Sequence, residues 1–212
     1  MLKKYFQVNP YIILAIILIV EITFNIVIKA YSLDEKVMYN SLSEYLTLDE
    51  IQKTSESVSA KFLPSLLLAI VQVVVEIFLT AMCVNIACLL LRVEVSLKQI
   101  WGIVIRAYII FTFSRILMMG LYFYFGVNKV EDLDYYSKFS VYGLLNLKNV
   151  ELWQYYILQL FNVFQAIFVM LVALGMNSVQ NRSVIKWFFT VLGAYGAYLL
   201  ITVVLVAFFL AV

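Results

Sequence analysis

Residues 62–91 read FLPSLLLAIVQVVVEIFLTAMCVNIACLLL, a run of thirty residues with one charged side chain, Glu76. About twenty apolar residues in an α-helix are enough to cross the roughly 30 Å hydrocarbon core of a bilayer. The run is continuously apolar and does not alternate with polar residues, which favours a helix over a strand of a β-barrel. The stretch therefore predicts a membrane-spanning helix.

Four further stretches meet the same condition, and together they predict an all-α integral membrane bundle of five transmembrane helices. The spans are expected near residues 10–30, 62–91, 99–125, 152–176 and 185–212. Short connections join the second span to the third and the fourth to the fifth. The long connections, residues 31–61 and 126–151, are expected as external loops. Because no internal repeat divides the chain, residues 1–212 are expected to form a single transmembrane domain.

The composition excludes several classes of function. The chain is 65% hydrophobic and 13% charged, whereas a globular domain is roughly half apolar and about a quarter charged. The sequence has no histidine, and this excludes histidine-based triads, zincin motifs and imidazole proton relays. A net charge of +2 without a basic cluster indicates no nucleic-acid partner. We therefore expect no enzyme, with no catalytic residue, no cofactor and no metal site.

The distribution of charge predicts an orientation. Six lysines and arginines flank the short connections and the N-terminus, and six lysines lie in the two long loops, so the counts are equal. The density of basic residues is higher on the short segments, and basic segments stay in the cytoplasm. Ten of the thirteen carboxylates fall in the two long loops. The sequence thus predicts a cytoplasmic N-terminus and an external C-terminus.

Three smaller signals concern the loops and the packing. Thr47 precedes Glu50 by three residues, the spacing of a capping box, and predicts a short surface helix. Small residues at 193–197, GAYGA, predict close helix contact within the protomer. Trp187, like other aromatic residues that flank the spans, is expected to lie at the membrane interface.

Charged side chains inside a span need a partner or a purpose. Glu76 lies fifteen residues before Leu91, the end of its span, and Arg115 lies sixteen residues after Gln99, the start of the next. With a rise of 1.5 Å per residue, the two side chains of this helical hairpin fall at nearly equal depth. The sequence therefore predicts an ion pair between Glu76 and Arg115.

Other polar residues fall near the same depth and share helix faces in pairs, because residues three or four apart lie on one side of a helix. The candidate intramembrane polar layer contains Glu21, Asn25, Gln72, Glu76, Arg115, Asn162 and Gln165. One interpretation is a structural network of ion pairs and hydrogen bonds that fixes helix register. A second is a polar pocket or pathway for a small solute or ion, and a third is a site that faces lipid or a partner.

Two stretches carry a resemblance to a known family. Residues 158–189, LQLFNVFQAIFVMLVALGMNSVQNRSVIKWFF, contain an apolar span that ends in Leu-Gly, a short polar turn and a lysine-led final span. Together with SLKQIWGIVIRAY at 96–108, they resemble the Yip (Ypt-interacting-protein) family of five-span membrane proteins, in its bacterial type. The resemblance implies five spans and a cytoplasmic N-terminus. It also implies a role beside ABC-type exporters or in resistance to antimicrobial peptides, without catalytic residues.

We expect a non-enzymatic accessory or scaffold protein of the bacterial cytoplasmic membrane, in contact with membrane lipid and another membrane protein. The alternative is a small transporter or channel that uses the polar layer. The two differ in one structural feature. A transporter is expected to have a hydrated cavity that reaches the level of Glu76, and a scaffold is expected to have a closed bundle.

Overall fold

A computed structural model describes residues 6, 8–43, 45–145, 150–180 and 182–211. Within these ranges the chain is helical, and the extended pairing it shows is an isolated bridge between Ser140 and Asn162. The α-helices are, in chain order, α1 (Pro10–Ser32), α2 (Glu35–Leu42), α3 (Leu48–Ala60), α4 (Phe62–Leu90), α5 (Leu97–Ala107), α6 (Ile109–Phe125), α7 (Val141–Leu145), α8 (Leu152–Leu160), α9 (Val163–Val179) and α10 (Val184–Ala211). Two 3₁₀ turns, Val130–Leu133 and Tyr135–Phe139, lie between α6 and α7.

Four helical segments are long and apolar enough to cross a membrane: α1, α4, α5 with α6, and α10. Local sequence explains where they begin. Asn9 caps α1 by accepting a hydrogen bond from the Tyr11 amide at 3.0 Å, and Pro10 takes the first helical position, where no amide hydrogen is needed. Ser96 caps α5 by accepting a hydrogen bond from the Gln99 amide at 3.4 Å, and the Ser96 amide donates to the Gln99 side-chain oxygen at 3.1 Å. Length and composition of these segments indicate a membrane protein.

The segment of α5 and α6 is the centre of the bundle. In its spanning window 56% of the residues are buried, against 28% or less in the other three. Helix α5 packs against α1, α4 and α9, and α6 packs mainly against α1 and α9. The two helices are separated at Tyr108, a turn residue whose carbonyl accepts a hydrogen bond from the Phe111 amide at 3.0 Å.

The span predicted at 152–176 is not one continuous helix, and this prediction is corrected. Helix α8 ends at Leu160 and α9 begins at Val163, because Phe161 and Asn162 have extended backbones with ψ angles of 96° and 166°. The Phe161 carbonyl accepts a hydrogen bond from the Val141 amide at 2.8 Å instead of continuing the helix. Helix α9 has 17 residues, about 25 Å of rise, and is shorter than the four spanning segments.

The two long loops pack against each other at one end of the bundle. The Asn40 side chain donates to the Asn128 carbonyl at 3.1 Å, and the Val130 amide donates to the Ser41 hydroxyl at 2.7 Å. The hydroxyl of buried Tyr122 on α6 donates to the Leu133 carbonyl at 2.6 Å. The loops thus form a cap that is attached to α6.

The predicted surface helix in the first loop is confirmed as α3. Thr47 precedes it, and both the amide and the hydroxyl of Thr47 donate to the Glu50 carboxylate, at 2.8 and 2.9 Å. These bonds satisfy polar groups at the helix start that otherwise have no partner within the helix.

Aromatic side chains fill the core between α5, α9 and α10. Phe168 on α9 packs edge-on against Tyr108 and Tyr195, with ring centroids 6.2 and 5.2 Å apart. Trp187 is 2% exposed and lies in this core, so its prediction as an interface anchor is wrong. The tryptophan stands on the face of α10 that also buries Val191 and Tyr195, four and eight residues later.

Candidate functional site

The candidate site is a cluster of polar side chains where α1, α4, α5 and α6 meet, here called the polar cluster. It consists of Glu21, Asn25, Glu76, Tyr108 and Arg115. Glu76 has fourteen residues of α4 on each side, about 21 Å of helix in both directions, so it lies at the middle of the span. The cluster therefore lies at a depth where water is scarce and every charge is costly.

Glu21 and Arg115 form the ion pair of the cluster, between the Glu21 carboxylate and Arg115 Nε. Glu21 is only 5% exposed. Asn25, one helical turn further along α1, donates to the Glu21 carbonyl at 2.8 Å and to its carboxylate at 3.2 Å. This contact agrees with the i,i+4 spacing that placed Glu21 and Asn25 on one face. The carboxylate thus has a cationic partner and a neutral donor.

The predicted ion pair between Glu76 and Arg115 is not formed, and this prediction is corrected. Helix α6 packs mainly against α1 and α9, whereas α4 packs against α1, α5 and α10. Because α6 packs against α1, Arg115 on α6 meets Glu21 on α1. Arg115 still lies within electrostatic range of Glu76.

Glu76 instead receives a hydrogen bond from the Tyr108 hydroxyl, at 2.8 Å. Sequence reasoning missed Tyr108, because a tyrosine in an apolar helix is equally typical of a packed core or of a membrane interface. Its position at the break between α5 and α6 is a feature of the backbone that residue spacing does not reveal. On the other side of α4, Tyr198 of α10 is also within electrostatic range of Glu76.

Three of the predicted layer residues lie outside the polar cluster. Gln72 is on an exposed surface of α4. Asn162 is the N-cap of α9: its side chain accepts from the Gln165 amide at 3.0 Å and donates to the Gln159 carbonyl at 3.2 Å. The i,i+3 spacing of Asn162 and Gln165 therefore reflects a helix cap and not a polar face across the membrane.

Two buried hydroxyls near the cluster lack hydrogen-bond partners among the described residues. Thr80 is 1% exposed and stands one turn beyond Glu76 on the same face of α4, and Thr112 is 3% exposed and stands one turn beyond Tyr108. Because α4 and the α5–α6 segment form a hairpin, the two hydroxyls extend the polar cluster toward opposite ends of the bundle.

Two concavities lined by the described residues lie away from the polar cluster. One of about 680 Å³ lies between α2 and α3 in the cap, where Glu35 and Glu56 stand beside Met38 and Ile51. Another, of about 620 Å³, is a groove on the outer surface between α4 and α10, here called the α4–α10 groove. Its residues are mostly small or aliphatic, among them Cys83, Ala87, Gly193 and Ala197.

The chemistry of the polar cluster is limited to charge, hydrogen bonding and proton binding. Among the described residues no group of three or more cysteines and carboxylates is placed to hold a metal ion. Cys83 and Cys88 are free thiols, half-buried and buried. No family model, no curated protein and no solved structure matches this chain. The resemblance to the Yip family therefore stays a prediction from the quoted residues.

Proposed function

We propose that this chain is a non-enzymatic accessory or scaffold protein of the bacterial cytoplasmic membrane that binds another membrane protein through its helices. The observation that carries the proposal is the contact between Glu21, Asn25 and Arg115. Arg115 on α6 is ion-paired with Glu21 on α1, and Asn25 adds a hydrogen bond to the Glu21 carboxylate. An ion pair that links two helices is the kind of contact by which a structural network fixes helix register. From the resemblance to the Yip family, we further propose that the protein supports an ABC-type exporter or acts in resistance to antimicrobial peptides.

The α4–α10 groove supports a helix-binding role. Gly193, which lines this groove, has open space where a β-carbon would stand, so this glycine of GAYGA does not make the close contact expected inside the protomer. Small residues on a lipid-facing surface let the backbone of a second helix approach closely. We assign this groove to one transmembrane helix of the partner.

The proposal includes five spans with a cytoplasmic N-terminus and an external C-terminus. With 17 mostly apolar residues, α9 is at the short end of the lengths that cross a bilayer. If α9 crosses, the long loops that form the cap lie outside, with most of the carboxylates. The short connections between α4 and α5 and between α9 and α10 then lie in the cytoplasm.

Affinity purification from native membranes tests the proposal, with identification of the proteins that co-purify. Gly193→Leu fills the α4–α10 groove, and Gly120→Leu is the matched control, since Gly120 on α6 is also exposed with open space around it. We expect a membrane protein that co-purifies with wild type and with Gly120→Leu, and is lost with Gly193→Leu. Equal recovery with both variants, or no specific partner with wild type, would contradict the proposal.

One observation favours the alternative of a small transporter or channel. Glu76 has no cation of its own in the polar cluster, because Arg115 is bound to Glu21. Transport predicts that reconstituted vesicles carry a solute or ion flux that Glu76→Gln abolishes. A scaffold predicts no flux above that of protein-free vesicles.

A further inference from the structure

The polar cluster contains more negative than positive charge. Its formal charges are two carboxylates, Glu21 and Glu76, and one guanidinium, Arg115. The guanidinium is bound to Glu21, so that pair is neutral. The direct partner of Glu76 is the Tyr108 hydroxyl, which carries no charge. One negative charge at the middle of a membrane span is therefore left without a counter-charge of its own.

The surroundings of Glu76 offer no second cation among the described residues. Helix α1 brings Glu21 toward it, the α5–α6 segment brings Tyr108 and Arg115, and α10 brings Tyr198. The Lys29 ammonium of α1 lies 4.1 Å from the ring of Phe62 at the start of α4, about 21 Å of helix from Glu76. The Lys29 ammonium therefore does not neutralise the Glu76 carboxylate.

We propose that the Glu76 carboxyl is a binding site for one exchangeable proton in the membrane-embedded core of this protein. An isolated carboxylate is costly in a low-dielectric medium, and binding a proton removes its charge. The Tyr108 hydroxyl can both donate and accept, so its hydrogen bond to Glu76 persists in both states. A metal cation fits less well, because hard cations need several oxygen ligands and this cluster supplies few.

Proton binding by Glu76 requires no other reactant. A proton adds to one carboxylate oxygen of Glu76, the net charge of the cluster changes from −1 to 0, and release restores it. Arg115 lies within electrostatic range of both carboxylates and stabilises the state in which Glu76 is charged. The Thr80 hydroxyl, buried without a partner among the described residues, lies one helical turn from Glu76 on the same face of α4. This inference does not depend on the proposed accessory function.

Infrared spectroscopy of the purified protein in lipid nanodiscs at neutral pH tests the proposal through the C=O stretch of a protonated carboxyl group. We expect this band in wild type, with a shift when glutamate is isotopically labelled. It should be lost in Glu76→Gln and retained in Glu56→Gln, which removes an exposed carboxyl of the cap. Tyr108→Phe should move the band in frequency without removing it.

The absence of the band in labelled wild type would overturn the proposal, as would its persistence in Glu76→Gln. A band that is absent in sodium buffer and appears in potassium or choline buffer would assign the site to a metal cation, and would also overturn it. The absence of the band in labelled wild type overturns the proposal without any variant. If Glu76→Gln fails to fold, Tyr108→Phe assigns the band through its shift, because the Tyr108 hydroxyl is bonded to Glu76.

Discussion

Arg115 supplies the positive charge that interacts with both carboxylates of the polar cluster. The coupling free energy between Arg115 and each carboxylate can be measured. Breaking a buried ion pair costs about 3–5 kcal/mol in soluble proteins, and hydrogen bonds in membrane proteins contribute roughly 1 kcal/mol. We expect Glu21→Gln and Arg115→Gln to destabilise the protein separately, and the double variant to be less harmed than their sum. The coupling free energy should be about 2 kcal/mol, measured from unfolding in detergent micelles.

The matched control is the same cycle with Glu76→Gln in place of Glu21→Gln. Because Glu76 has no direct bond to Arg115, its coupling to Arg115→Gln should be clearly smaller. A larger coupling free energy between Glu76 and Arg115 than between Glu21 and Arg115 would contradict the contacts in the structure. It would support the predicted ion pair between Glu76 and Arg115 instead.

The stability of the first turn of α3 depends on pH through the Glu50 carboxylate. The hydrogen bond from the Thr47 amide, followed by the bond from its hydroxyl, lowers the pKa of Glu50 below its ordinary value of 4.5. Stabilisation from a lowered pKa is present above 4.5 and is lost as the pH falls through the folded value. NMR chemical shifts of the first turn of α3 should move toward coil values below about pH 4.5. In Glu50→Gln, which does not titrate, this pH dependence should disappear, and its persistence would assign it to another group.

At the scale of the helix, the polar cluster shows what spacing can and cannot predict. The i,i+4 spacing correctly joins Glu21 to Asn25, since both stand on the uninterrupted helix α1. Depth along the spans predicts that Glu76 and Arg115 lie close together, and Arg115 does lie within electrostatic range of Glu76. The predicted partner of Arg115 was wrong, because the partner depends on which helices pack together, and α6 packs against α1.

Asn162, at a helix end, is another residue whose role cannot be predicted from residue spacing alone. An asparagine in a long apolar run is compatible with a buried polar group or with an N-cap, and the two differ in whether the chain before it is helical. Here Phe161 and Asn162 are extended because Phe161 pairs with Val141 in the second loop, twenty residues away in sequence. A long-range backbone contact of this kind has no signature in residue spacing.

Helix contact at Gly175 gives a prediction for the packing of α9 on α5. A β-carbon at Gly175 would collide with the Ile103 side chain and would lie 2.7 Å from the Phe6 ring. Overpacking of this kind costs about 1–3 kcal/mol. We expect Gly175→Ala to lower the free energy of unfolding by this amount, and to lower the melting temperature in detergent.

Gly193→Ala is the matched control, because this glycine also lies within a helix and has open space around it. Alanine favours helix over glycine by about 1 kcal/mol, so the substitution should be neutral or stabilising in the isolated protein. Equal destabilisation by both substitutions would contradict the difference between a crowded Gly175 and an open Gly193.

At the scale of the whole molecule, the sequence predicted an all-helical membrane chain correctly, because long apolar runs need no tertiary information to recognise. Four spanning segments follow from length and composition in the structure. The fifth, predicted at 152–176, is divided by Phe161 and Asn162, and its second half alone is short. The number of crossings thus depends on α9, whose ends are fixed by loop contacts.

Reporter fusions settle whether α9 crosses, and they test the five-span arrangement on which the proposed orientation depends. One reporter is placed after Val212 and a second within residues 178–184, the connection between α9 and α10. The account predicts an external signal at Val212 and a cytoplasmic signal at 178–184. A cytoplasmic signal at Val212 would contradict it, because the chain would then cross an even number of times or lie in the inverted orientation.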